Sequence, residues 1–397
     1  MGALIQVKQE ENGFRTLPIL LLSLSHFVHD VYSSFLAPLL PLLIEKLALS
    51  LTQAGFLSAV MQLPALINPV LGMVADRTSL RYLVILAPTL TAVPMSLIGV
   101  APSYGVLIIL LLCAGISVAL FHVPAPVMIG RLAGARKGRG MSFFMTGGEL
   151  ARMVGPVLAV GAVSLFGLSG FWPIMIVGMA TSLLLYLLLR RIDLNFHSRK
   201  ESISLGQTFA GMRHILLPLA FILIARSFMH GSLTAFLPTY IQSENGSLWL
   251  GGAALALFEA AGVAGVMLAG SLSDSLGRKR MLLYSLIGAP IGLAGFVLVP
   301  DWLRVLPLAM TGFTLLSTTP VMLALVQEHA HKSPATANGL FLMTAFVARS
   351  SVVVVVGFLA DHWGLHATYL FSAVAGMSAI PFILRLPSEK KGSGAAI

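Results

Sequence analysis

The chain has 397 residues, of which 57% are hydrophobic and only 10% charged, against about 25% charged in an average soluble domain. Mean hydropathy is +0.91, so too few charged side chains exist to cover soluble domains of this length, and a polytopic membrane protein is the class that remains. A net charge of +10 carried by scattered Lys and Arg, with no basic domain, points to topology and away from nucleic acid. A single cysteine, Cys113, excludes a disulfide framework and any Cys-based metal cluster.

A bilayer core about 30 Å thick needs about 20 apolar residues per helix. Twelve such runs follow in order, at 15–44, 52–75, 81–101, 104–132, 140–166, 169–190, 214–241, 248–272, 281–300, 302–328, 336–360 and 366–386. The first carries His26, His29 and Asp30 and lacks a small-residue cleavage site, so it reads as a retained helix. With the N-terminus cytoplasmic, twenty Lys and Arg fall in cytoplasmic segments and only Lys46 and Arg304 on the other side. That asymmetry is the positive-inside pattern, and it predicts cytoplasmic termini and an even number of spans.

The longest polar stretch between apolar runs divides the chain into an N-terminal bundle at 1–190, a cytoplasmic linker at 191–213 and a C-terminal bundle at 214–397. The two bundles repeat one another. Phe27, His29, Phe35 and Leu36 recur as Phe228, His230, Phe236 and Leu237; Gly72 and Asp76 recur as Gly270 and Asp274; Ala151 and Arg152 recur as Ala348 and Arg349. Two parallel six-helix repeats are an architecture of secondary transporters, which hold substrate near mid-membrane between halves that rock about it.

The loop after the second run resembles the signature of the major facilitator superfamily, G-x-x-x-D-R/K-x-G-R/K-R/K. It supplies Gly72, Asp76, Arg77 and Arg81, with Ser79 and Leu80 where the pattern has glycine and a basic residue. The matching loop after the eighth run supplies Gly270, Asp274, Gly277, Arg278 and Lys279, with Ser275 at the first basic position. The resemblance covers the whole chain and implies an all-α, twelve-helix transporter in which these two loops act as a conformational latch. The Gly147-Gly148-Glu149 and Gly155-Pro156 segment, together with His26 to Asp30 and Phe121-His122, is similar to the fosmidomycin-resistance branch of the drug:proton antiporters. That likeness implies proton-coupled efflux of a small organic compound across a bacterial inner membrane by a monomer, with protons, substrate and lipid as partners. An importer of a small anion or metal complex is the alternative, and a membrane-embedded enzyme or sensor a more distant one.

Ionisable groups deep in apolar helices cost several kcal/mol each unless they find partners or water, which marks them as functional candidates. The acids are Asp30, Glu149 and Glu259, and the arginines are Arg152, Arg226 and Arg349, joined by His26, His29, His122 and His230. Glu149 and Arg152 stand three apart and can pair along one helix. The acids can change charge, whereas arginine stays protonated; Asp30 and Glu149 are therefore the expected proton carriers, and the remaining eight residues the expected substrate cavity. No nucleotide loop, zinc-protease motif or nucleophile elbow appears, so no enzyme activity, cofactor or metal is expected, and the methionines read as flexible apolar filler.

Overall fold

The computed structural model describes residues 14–68, 71, 81–190, 205–330 and 334–387. Every regular element among them is helical, as a bilayer requires of an open chain that must satisfy its backbone groups internally. The first span is α1 (Thr16–Ser33) followed by α2 (Leu36–Leu47), and α3 (Leu51–Gln62) begins the second. Next come α4 (Arg81–Leu97), α5 (Tyr104–His122) with the short α6 (Pro124–Leu132), α7 (Lys137–Phe166) and α8 (Met175–Leu189). The second half holds α9 (Leu205–Asn245), α10 (Leu248–Leu276), α11 (Arg278–Leu298), α12 (Val305–His329), α13 (Pro334–Met377) and α14 (Ile380–Arg385).

Among the described residues, ten helical stretches are long and apolar enough to cross a bilayer, and Leu51–Ile67 is a shorter apolar one. The stretch Ala337–Arg385 turns at Gly364, where φ is 77° and ψ 162°. That positive φ is open to glycine without strain, and the turn divides this stretch into two spans, completing twelve. Residues 205–213, expected in the linker, form the first turns of α9.

Side chains such as Leu165, Ile176, Met267, Leu306 and Val374 face outward as a lipid-contacting surface. Inside, hydroxyls pair between helices. Thr91 Oγ1 donates to Ser117 Oγ at 2.8 Å between α4 and α5, and Ser285 and Ser317 bond at 3.0 Å between α11 and α12. The third and fourth spans and their counterparts, the ninth and tenth, thus use the same device, which carries the sequence repeat into the packing.

The halves close on one another at the face opposite the termini. Gly55 on α3 lies so near α13 that an added Cβ would stand 2.6 Å from the Val353 carbonyl oxygen, and a Cβ at Gly357 would collide with the Leu51 carbonyl. At this contact Asp361, from α13, accepts hydrogen bonds from the N–H groups of Leu51 (2.7 Å) and Thr52 (2.8 Å) and from Thr52 Oγ1. Ser50 and Gln53 meanwhile satisfy each other's N–H groups as a capping box. The first turn of α3 therefore has two N–H groups satisfied locally and two by a carboxylate from the other half.

On the face that carries the termini, Arg278 pairs with Asp274 at 2.6 Å and with Glu328 at 3.0 Å, while Lys279 donates to the carbonyls of Leu384 (2.6 Å) and Leu386 (3.0 Å). These contacts stay within the C-terminal half. Asp274 here pairs with Arg278, one helical turn away. Gly72, Asp76 and Arg77 of the first loop lie outside the described residues; Arg81 begins α4, and its guanidinium donates to the Tyr82 hydroxyl at 3.1 Å.

Candidate functional site

Two linked clusters occupy the middle of the bundle. In the first, α1 places His26 and His29 with Asp30 on one face, because residues three and four apart share a side of a helix. His122, the last residue of α5, joins them. His26 Nε2 stands 3.2 Å from Asp30 Oδ2, His29 Nδ1 donates to Asp30 Oδ1 at 2.9 Å, and His122 Nε2 stands 3.5 Å from Asp30 Oδ1.

The rings are held by Phe121, from the Phe121-His122 segment, and by Phe144, which the sequence did not single out. His26 stacks on Phe144 with centroids 4.1 Å apart, and His29 stacks on Phe121 at 4.5 Å. His26 can lie there because residue 148 on α7 is glycine: a Cβ would stand 2.5 Å from the imidazole Cε1. The glycine-rich start of the drug-exporter-like motif is thereby a packing device that brings α7 against α1.

The second cluster crosses between halves. Arg152 forms a close ion pair with Glu149 on its own helix α7, and its Nε lies 3.8 Å from Glu259 on α10. Glu259 is buried, whereas the Arg152 side chain is 46% exposed. Across from it stand Arg226 on α9 and Arg349 on α13. Arg226 donates to the Leu315 carbonyl and to Thr319 Oγ1 at 3.0 Å. Arg349 lies over the Phe346 ring at 4.9 Å, and its buried Nε has no hydrogen-bond partner among the described residues. Neither arginine has a described carboxylate within ion-pair distance.

The charges of Arg349, Arg152 and Glu259 interact, as do those of Arg226 and Arg349; His230 feels all three arginines, and Arg152 feels Asp30 as well. His230 is otherwise bonded to Thr234 on its own helix. All ten ionisable residues singled out in the sequence thus belong to one electrostatic assembly, with the acids mostly on the N-terminal side and the two arginines that lack a described carboxylate partner on the C-terminal side. An arrangement of this kind can attract an anion, trade counter-charges and take up protons.

Residues 22–353 match the Major Facilitator Superfamily, a stretch covering well over half of the chain. The chain belongs to that superfamily. As a facilitator-type transporter it is similar to the fosmidomycin resistance protein of Escherichia coli, 26% identical over 371 residues that cover 89% of this chain and 88% of that one. It is also similar to the multidrug resistance protein MdtG of Proteus mirabilis, 24% identical over 362 residues, with 86% and 88% covered. Among solved structures, the nucleoside transporter NupG superposes with a TM-score of 0.78 at 16% identity, covering 94% of this chain and all of that one. A D-xylose-proton symporter superposes with a TM-score of 0.73 at 16% identity, covering 94% and 98%. The transporter therefore has the twelve-helix facilitator fold, and its likeness to drug-resistance members runs along nearly its whole length.

Proposed function

We propose that this transporter exports a small organic anion from a bacterial cytoplasm in exchange for protons, by alternating access, from an inner membrane with both termini cytoplasmic. The observation that carries the reading is the sharing of Arg152 by Glu149 and Glu259 beside two arginines without carboxylate partners. The Arg152–Glu259 contact joins the halves at mid-depth. An anion that takes Arg152 releases Glu259, and a proton on Glu259 releases Arg152, so either occupant alone frees the halves to rock. Loaded one way and protonated the other, such a carrier exchanges its two ligands. The export direction is supported by the resemblance to the resistance proteins.

The same charges also favour a second reading, anion–proton cotransport. An anion on Arg152 leaves carboxylates that must take up a proton or stay uncompensated, which ties the two ligands together in one state. Purified protein in vesicles with inner and outer pH set independently separates the two. Export predicts that a panel of anionic compounds, fosmidomycin among them, moves against an opposing proton flux; cotransport predicts flux of both in the same direction. Under either, Arg226→Gln weakens anion binding by about 10- to 100-fold at every pH, as expected for one lost charge-assisted hydrogen bond. Unchanged affinity for every anion would remove Arg226 from the substrate wall.

Orientation is checked separately with reporter fusions. A reporter after Lys200 is expected on the cytoplasmic side and one inserted at residue 245 on the outer side, following the charge asymmetry of the loops. Both reporters on one side would break the reading.

A further inference from the structure

The arrangement of protons around Asp30 poses a problem of its own. His26 Nδ1 lies 2.8 Å from the Phe144 carbonyl oxygen, and His122 Nδ1 lies 3.0 Å from the Val118 carbonyl oxygen. A carbonyl oxygen can only accept, so both Nδ1 atoms carry the hydrogen. In a neutral imidazole the other nitrogen is then a lone pair. Both Nε2 atoms lie against the Asp30 carboxylate, at 3.2 Å and 3.5 Å: a second proton makes each ring an ion-paired donor, and without it two lone pairs and a carboxylate converge on a space that suits a metal cation.

We infer that His26, Asp30 and His122 form a binding site for one divalent cation of the zinc class. The three donor atoms lie within 4.8 Å of one another, and ligands about 2.0–2.2 Å from one zinc ion stand about 3.3–3.5 Å apart in a tetrahedron. Two imidazoles and one carboxylate suit zinc and its transition-metal neighbours and disfavour magnesium or calcium, which prefer all-oxygen sites. Each ligand also has the outer partner that such sites use to fix ring orientation and donor strength: the Phe144 carbonyl for His26, the Val118 carbonyl for His122, and the donated Nδ1–H of His29 for Asp30. Three protein ligands leave a fourth position open. The His122 side chain is 36% exposed, so that position can be reached by water or by an oxygen of a bound anion. The inference is independent of the direction of transport and of the coupling at Arg152.

The test uses the full-length protein purified in detergent with a tag other than polyhistidine. Dialysis against buffered Zn2+ alone, followed by metal analysis, is expected to give one zinc per chain, and Co2+ in its place is expected to give the visible bands of a tetrahedral site. Millimolar-range Mg2+ is expected not to displace either. His122→Ala lowers zinc affinity by more than about 100-fold, beyond the range usual for loss of an outer-shell partner. His122→Cys, which keeps a zinc donor, retains binding, and His214→Ala, on α9 with its ring against His329 of α12 and outside the cluster, leaves it unchanged. Matching thermal unfolding of the variants shows that the fold survives. Wild-type protein that takes up no stoichiometric zinc, or a His122→Ala variant that binds it as tightly as wild type, overturns the assignment and leaves protons as the cations of the cluster.

Discussion

Arg152→Gln is expected to reduce transport by at least about 100-fold and to destabilise the protein at neutral pH. Removing one partner of a buried ion pair costs about 3–5 kcal/mol, because the other charge is left uncompensated; the partial exposure of Arg152 brings that nearer the low end. Two carboxylates, Glu149 and Glu259, would face each other without their shared cation. The variant should therefore regain stability on acidification, as the carboxylates take up protons. Adding Glu259→Gln should restore stability at neutral pH without restoring transport, since the contact that responds to both ligands is gone. Thermal unfolding across pH and uptake into vesicles measure the two effects separately. Wild-type transport by Arg152→Gln would show that the cross-half pair is only structural.

Asp361→Asn is expected to open the face opposite the termini. The carboxylate accepts three hydrogen bonds from the first turn of α3, and an anionic group at a helix N-terminus is stabilised by the aligned peptide dipoles. An amide keeps the size and loses the charge. Loss of a cap of this kind is worth about 1–2 kcal/mol, equivalent to a shift of about 5- to 30-fold between closed and open states. A cysteine at Val353, buried against Gly55, introduced with Cys113 replaced, reports the shift as faster labelling by an impermeant reagent. Asp361→Glu should lie between the two. Equal labelling in all three proteins would mean that the packing of α3 on α13 closes this face unaided.

The spans and the repeat were legible because a bilayer turns them into a one-dimensional pattern: apolar length and the side on which lysines and arginines fall. The buried charges were legible for the same reason, each standing out against twenty apolar neighbours. Their partners were legible only when local. Glu149 and Arg152 could be paired from a spacing of three, but the approach of Glu259 to Arg152 depends on how α7 meets α10. Phe144 looked like any other aromatic residue in a membrane helix. Asp361 was missed because an acid at the end of a span reads as a loop residue, and its target lies 310 positions away.

Sorting the mid-depth charges by half shows an inequality between the two repeats. The first contributes Asp30 and Glu149 against Arg152, one acid in excess; the second contributes Arg226 and Arg349 against Glu259, one cation in excess. Two copies of the first bundle would set surplus carboxylates against each other, and two copies of the second would do the same with guanidiniums. Only the unlike pair is neutralised on meeting. The bundles are therefore no longer interchangeable building blocks, and if the chain were cut at the linker the separate pieces should recognise each other in preference to themselves.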